Sequence, residues 1–143
     1  MTVYSLVRKF SFLILLAFIA CGDESYSGVP LVDTHISISI NDPAYHRLTT
    51  VGGWEYLTGG SRGLIVYRIS NTEFKAYDRH CTFQPSSSCA LVSVDANNLS
   101  ASDNCCGSSF SLLNGSVTSP PARSPLQEYY TSFDGRTLRI TNL

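Results

Sequence analysis

Apolar and polar positions in this chain alternate in short bursts with a period of two. The clearest burst is Ile36-Ser37-Ile38-Ser39-Ile40, whose isoleucines share one face of an extended segment. Asn41-Asp42-Pro43 reads as a turn, and Tyr45 to Thr50 as the start of the next strand-like segment. Gly52-Gly53 and Gly59-Gly60 bracket Trp54 to Leu57, which predicts a short strand closed by a glycine turn. Leu64 to Ile69 is mostly apolar and predicts a central strand, and Asn71-Thr72 turns it into Phe74 to Asp78. Near the other end, Glu128 to Phe133 and Thr137 to Thr141 flank Asp134-Gly135, a strong two-residue hairpin signal. No long helical period appears beyond the first twenty residues, so the fold class expected is all-β.

Between these two sets of strands lies Tyr77 to Pro121, which holds four of the five cysteines. Cys81 and Cys89 fall in one tight loop and Cys105 and Cys106 in another, each after a strand-like segment. The layout predicts a small subdomain, about residues 79–121, inserted in a β domain spanning 31–143, with two cysteine-bearing loop tips facing each other.

Composition changes this picture in a few places. The 143 residues are room for one domain, and a net charge of −1 gives no electrostatic case for nucleic acid or for an anionic membrane surface. The N-terminus reads as a targeting segment: Arg8 and Lys9 precede an unbroken small or apolar run, Phe10 to Ala20, too short to span a bilayer comfortably. Phe18-Ile19-Ala20-Cys21 resembles the bacterial lipobox, which implies a signal peptide over 1–20, a lipidated Cys21 and a tether over 21–30. Asp23-Glu24 resembles the acidic signals that carry some lipoproteins to the surface of Gram-negative cells. The expected location is therefore the cell envelope, lipid-anchored in an outer membrane, with surface exposure. In that oxidising compartment the four remaining cysteines, an even number, argue for two disulfides, and three pairings are open.

The order of pieces from about Val51 to Ile140 resembles the Rieske iron–sulfur domain. The resemblance rests on Cys81-Thr82-Phe83 after a strand, then Asp103 to Phe110 containing Cys105-Cys106-Gly107-Ser108. Asn114-Gly115, Pro120-Pro121, Pro125-Leu126 and the closing Asp134-Gly135 hairpin follow. It implies an antiparallel sandwich or barrel base carrying a small two-loop subdomain. Val117, Leu126, Tyr129 and Leu138 also read simply as core.

A Rieske centre sets two thiolates on one iron and two imidazoles on the other. Here Cys81 keeps a thiolate position, Phe83 stands at one histidine, Cys106 at the other, and Asp103 where the second cysteine ligand belongs. One ligand of four survives in kind. His80 is next to Cys81, but neighbouring side chains on a strand point to opposite faces; His35 and His46 read as surface residues of the base. A zinc or iron site of four cysteines is chemically possible, against which Cys105 and Cys106 are adjacent rather than spaced. The family's bracing disulfide implies Cys89–Cys105. A second, Cys81–Cys106, would then close the vacated cluster position.

The remaining polar residues offer no rival chemistry: no Ser/His/Asp nucleophile context, no phosphate-cradling loop, no His-x-x-x-His pair. Asp78 and Arg79 read as a surface ion pair or turn contacts, and Trp54, Tyr45, Tyr56, Tyr129 and Tyr130 as core and strand-packing residues. The expectation is a non-catalytic accessory or interaction module with no resident cofactor, bound to the membrane through its lipid and to an unidentified protein partner. The alternative is an electron carrier with an atypical [2Fe–2S] cluster. An enzyme is not expected, because a Rieske oxygenase needs a second iron-bearing domain.

Overall fold

Six antiparallel strands form the base in a computed structural model that describes residues 28–142. The expected signal segment, Cys21 and the expected tether as far as Ser27 lie outside the described residues. The strands are β1 His35–Ser39, β2 Trp54–Leu57, β3 Leu64–Arg68, β4 Phe74–Asp78, β9 Glu128–Phe133 and β10 Thr137–Thr141, and they lie across the sheet in the order β1-β10-β9-β4-β3-β2. Between β4 and β9 in sequence comes a second, four-stranded sheet: β5 Val92–Val94, β6 Ser100–Asp103, β7 Ser109–Ser111 and β8 Val117–Ser119. The fold class is thus the one the alternation predicts, a β base with a small inserted β subdomain.

Period two decides which way each face looks. In β1, Ile36 and Ile38 stand opposite Ile140 and Leu138 of β10. Val66 of β3 stands opposite Ala76 of β4, which in turn stands opposite Tyr129 of β9. These side chains share one buried cluster with Leu57 of β2, the far edge of the sheet, so the sheet curls around them. The alternate positions of the same strands, Ile65, Tyr67 and Tyr77, enter a second cluster with Val92, Phe110 and Leu112 of the insertion. Every residue of β3 is buried, because it is covered on both faces. Trp54 and Tyr56 of β2 lie on the insertion's side: Trp54 Nε1 donates to Asn98 Oδ1 at 2.9 Å, and Tyr56 Oη accepts from Val94 N at 2.9 Å. Their strand-packing role holds, whereas Tyr130 of β9 is 56% exposed and packs into neither core.

The segment after β1 departs from expectation. Pro43–Thr49 is a 3-10 helix rather than the start of a strand. Pro43 pre-sets the backbone angle of the first turn, and the Asp42 side chain caps it by accepting from Ala44 N at 2.9 Å. The helix presses Leu48, fully buried, into the first core. The sequence did not reveal this helix because a single apolar plug has no period. Arg68 secures the same corner, its guanidinium donating to the carbonyls of Leu48, Ser70 and Asn71.

Candidate functional site

Two loop tips meet on the inserted subdomain, and each is held from below. The first runs from Arg79 to Leu91. Arg79 N donates to Gly63 O at 2.8 Å and Cys81 N to Ala90 O at 3.2 Å, so Cys81 sits at the root of the loop. Arg62 reaches up from the β2–β3 turn and donates to Ser87 O, Ser88 O and Ala90 O at 2.7, 2.8 and 3.1 Å. Below the loop, Asp78 is fully buried and accepts from Ser61 N, Arg62 N, His80 N and Tyr129 Oη. It is a turn organiser, and no ion pair joins it to Arg79. The Arg79 guanidinium instead lies 3.8 Å from the Tyr56 ring centre and bonds Val92 O.

The second tip is the turn Asp103–Ser108. Gly107 N donates to Asp103 O at 2.8 Å and Asp103 N to Ser108 O at 2.9 Å. Gly107 takes a backbone φ of +81°, which favours glycine there. The Asp103 Oδ1 accepts from Cys105 N at 2.7 Å and lies 3.4 Å from Cys106 N, drawing the turn closed. Ser108, fully buried, ties this tip to the proline loop: Ala122 N donates to its Oγ at 2.9 Å. From the first tip, Thr82 Oγ1 donates to Ser124 O.

The adjacent cysteines diverge. Cys105 is exposed and is bonded to Cys89, the pairing the resemblance implied. Cys106 points inward, its Sγ 3.8 Å from that of buried Cys81, and both thiols are free. The expected Cys81–Cys106 disulfide is therefore not formed. Cys106 is held instead by Ser108, its thiol 3.1 Å from Ser108 Oγ and accepting from Ser108 N at 3.4 Å. Cys81 Sγ, Cys106 Sγ and a carboxylate oxygen of Asp103 all lie within 4.8 Å of one another. Asp103 is 1% exposed, and its Oδ2 has no hydrogen-bond partner among the described residues. Beside the three groups is a pocket of about 170 Å³, lined by Phe83, Gln84, Ser87 and Ala90 along with Asp103, Cys105 and Cys106.

Burial pushes the Cys81 thiol up to about 12; the Phe83 backbone N–H opposes this, and the Asp103 carboxylate adds to it. As it stands Cys81 is a neutral thiol at neutral pH and a poor nucleophile. His80 faces away from the site. It is buried, with Nδ1 2.9 Å from Ser61 Oγ and Nε2 2.7 Å from Pro85 O, so both ring nitrogens are engaged below the loop. His46 and His35 lie exposed on the base.

The structure thus brings together three of the four former ligand positions singled out in the sequence and sets Phe83 against the pocket. It also adds two residues that the sequence did not mark. Ser108 was visible only as part of a Gly-Ser scaffold pair. Arg62 acts across some twenty-five residues and leaves no local signal.

No protein-family model matches the chain. No curated protein matches it either. Among solved structures, a chain in the complex of reduced oxygenase and oxidised ferredoxin in carbazole 1,9a-dioxygenase shares the fold at a TM-score of 0.51. The likeness covers 75% of this chain and 92% of that one, at 18% sequence identity. Identity that low speaks for architecture alone, and the architecture, a curled antiparallel base with a two-loop insertion, is Rieske-like.

Proposed function

We propose that this chain is a lipid-anchored, Rieske-like envelope protein that works as a non-catalytic accessory or interaction module and carries no Rieske cluster. The observation behind the reading is the donor set. A Rieske centre needs two imidazoles on one of its irons. The facing loop tips offer two sulfurs and a carboxylate; Phe83 supplies no lone pair, and His80 is committed beneath the loop. These residues do not fit that cluster. A carboxylate is moreover a hard ligand for a centre normally held by soft ones. The Cys89–Cys105 bond braces the loops with no iron required.

Anchoring through Cys21 belongs to the same proposal and rests on the lipobox-like Phe18-Ile19-Ala20-Cys21 alone. The test is anaerobic purification from envelope membranes, followed by iron, acid-labile sulfide, visible absorption and mass spectrometry of the N-terminus. Colourless protein with an acylated Cys21 is expected. Stoichiometric iron and sulfide would defeat the cluster-free reading and favour an electron carrier with an atypical [2Fe–2S] centre. An unmodified Cys21 thiol on an intact N-terminus would defeat the anchor.

A further inference from the structure

We propose that Cys81, Cys106 and Asp103 form a binding site for a single thiophilic divalent cation of the zinc class, with a fourth coordination position open to the pocket beside Phe83. The proposal rests on the cluster-free reading, since an iron–sulfur centre would claim the same sulfurs. Geometry is the first support. Two Zn–S bonds of ~2.3 Å meeting at a tetrahedral angle place their sulfurs ~3.8 Å apart. The sulfurs of Cys81 and Cys106 are 3.8 Å apart. They are too distant for a disulfide and at the spacing that one tetrahedral ion spans.

The second support is the buried carboxylate. Asp103 uses Oδ1 to close its own turn, and leaves Oδ2 shielded from water with no hydrogen-bond partner among the described residues. A shielded carboxylate oxygen without a partner is costly, and a cation against it removes that cost. A carboxylate oxygen fits zinc at ~2.0–2.2 Å, so the two-sulfur, one-oxygen set suits a borderline cation better than a harder magnesium or calcium ion.

The surrounding residues fit the same role. Ser108 N and Oγ lie 3.4 and 3.1 Å from the Cys106 sulfur, where both can donate to a thiolate and orient it. The Cys89–Cys105 bond fixes the second tip relative to the first, so the three donors need little rearrangement to close on an ion. With three protein ligands, the fourth position is left to water or to an incoming oxygen or sulfur donor, and the pocket lined by Phe83, Gln84 and Ser87 gives it room.

The full chain, purified anaerobically in detergent and stripped with a chelator, is titrated with Co2+ alone and then with Zn2+ as competitor. We expect a single Co2+ per chain, giving thiolate-to-cobalt charge-transfer bands and the strong visible bands of a tetrahedral site, all erased by Zn2+. Cys106→Ser should lose most of the charge-transfer intensity. Asp103→Asn should keep the sulfur bands yet bind at least about tenfold more weakly. Peptide mapping of the Cys89–Cys105 bond checks that each variant has folded. If Cys106→Ser fails that check, Asp103→Asn carries the test. The inference is overturned by wild-type protein that takes up no Co2+, by bands unchanged in folded Cys106→Ser, or by undiminished affinity in Asp103→Asn. It is equally overturned if untreated envelope protein has Cys81 and Cys106 joined as a disulfide. Native iron with labile sulfide would instead sink the cluster-free reading, so the two failures are told apart.

Discussion

Tyr129 and Tyr77 each carry a phenol into the interior, by different means. Tyr129 donates to Asp78 Oδ2 at 3.1 Å, while Tyr77 Oη is buried with no partner among the described residues. Burial is the main cause that pushes Tyr129 up to about 12 from 10.0 and Tyr77 further in the same direction. A folded-state value above the unfolded one means that the contribution to stability is complete below the unfolded pKa. It is lost as pH rises from there through the folded value. Denaturant midpoints should therefore hold level only up to about pH 9, where the buried Cys81 thiol begins to contribute in the same direction, and fall more steeply between about pH 10 and about pH 12. Tyr130→Phe, on an exposed ring, should leave that profile unchanged. Gly60 gives a second test at this scale. Its φ is +62°, and a Cβ there would lie 2.5 Å from Asp78 Oδ2 and 2.9 Å from Tyr129 Oη. Gly60→Ala should cost about 1–2 kcal/mol for the left-handed backbone alone, with the crowded carboxylate adding to it, as read by chemical denaturation. Neither Asp78 nor Gly60 announces this in the sequence. Asp78 looks like a charged residue at a strand end, and only the fold shows the turn wrapped around it.

At the scale of elements, the strands were legible because half-buried extended segments repeat every two residues. Ile36 to Ile40, Leu64 to Ile69 and the Asp134-Gly135 hairpin all fall where the alternation and the turn residues put them. What stayed hidden acts without a period or across distance. The 3-10 helix is set by a capping Asp42 and one apolar plug, and the first loop by Arg62 from another turn. Arg62→Ala should remove three hydrogen bonds to that loop at once, with Ser87 O and Ala90 O keeping their backbone partners. A loss of about 1–3 kcal/mol is expected, with faster amide hydrogen exchange confined mainly to residues 84–91. Exchange unchanged in that loop would show that the disulfide alone holds it.

For the molecule as a whole, the Cys89–Cys105 bond spans 16 residues and closes the two tips into one body. Chain entropy gives such a closure about 3 kcal/mol. The Cys89→Ser/Cys105→Ser pair should lower the denaturant midpoint by a comparable free energy, and it should also weaken any Co2+ uptake at Cys81 and Cys106. The candidate site was legible as a set of positions: the Rieske resemblance alone implied Cys81, Phe83, Asp103 and Cys106. Their connectivity was not. An even cysteine count favours two bonds, but sequence does not show that adjacent Cys105 and Cys106 face opposite ways and that Ser108 takes the inner one.

The strand buried on both faces has a consequence for what this fold can tolerate. Leu64, Ile65, Val66 and Tyr67 are neighbours in sequence yet serve two interiors by turns. A change at any of them is felt on one side or the other, and a slip of one residue would exchange the two linings outright. The loop tips are under no such double obligation. Phe83 is half-buried at a rim and belongs to no strand, so a side chain exchanged there leaves every ladder intact. A substitution at Phe83 is therefore expected to disturb less of the scaffold than one at Ile65 or Val66.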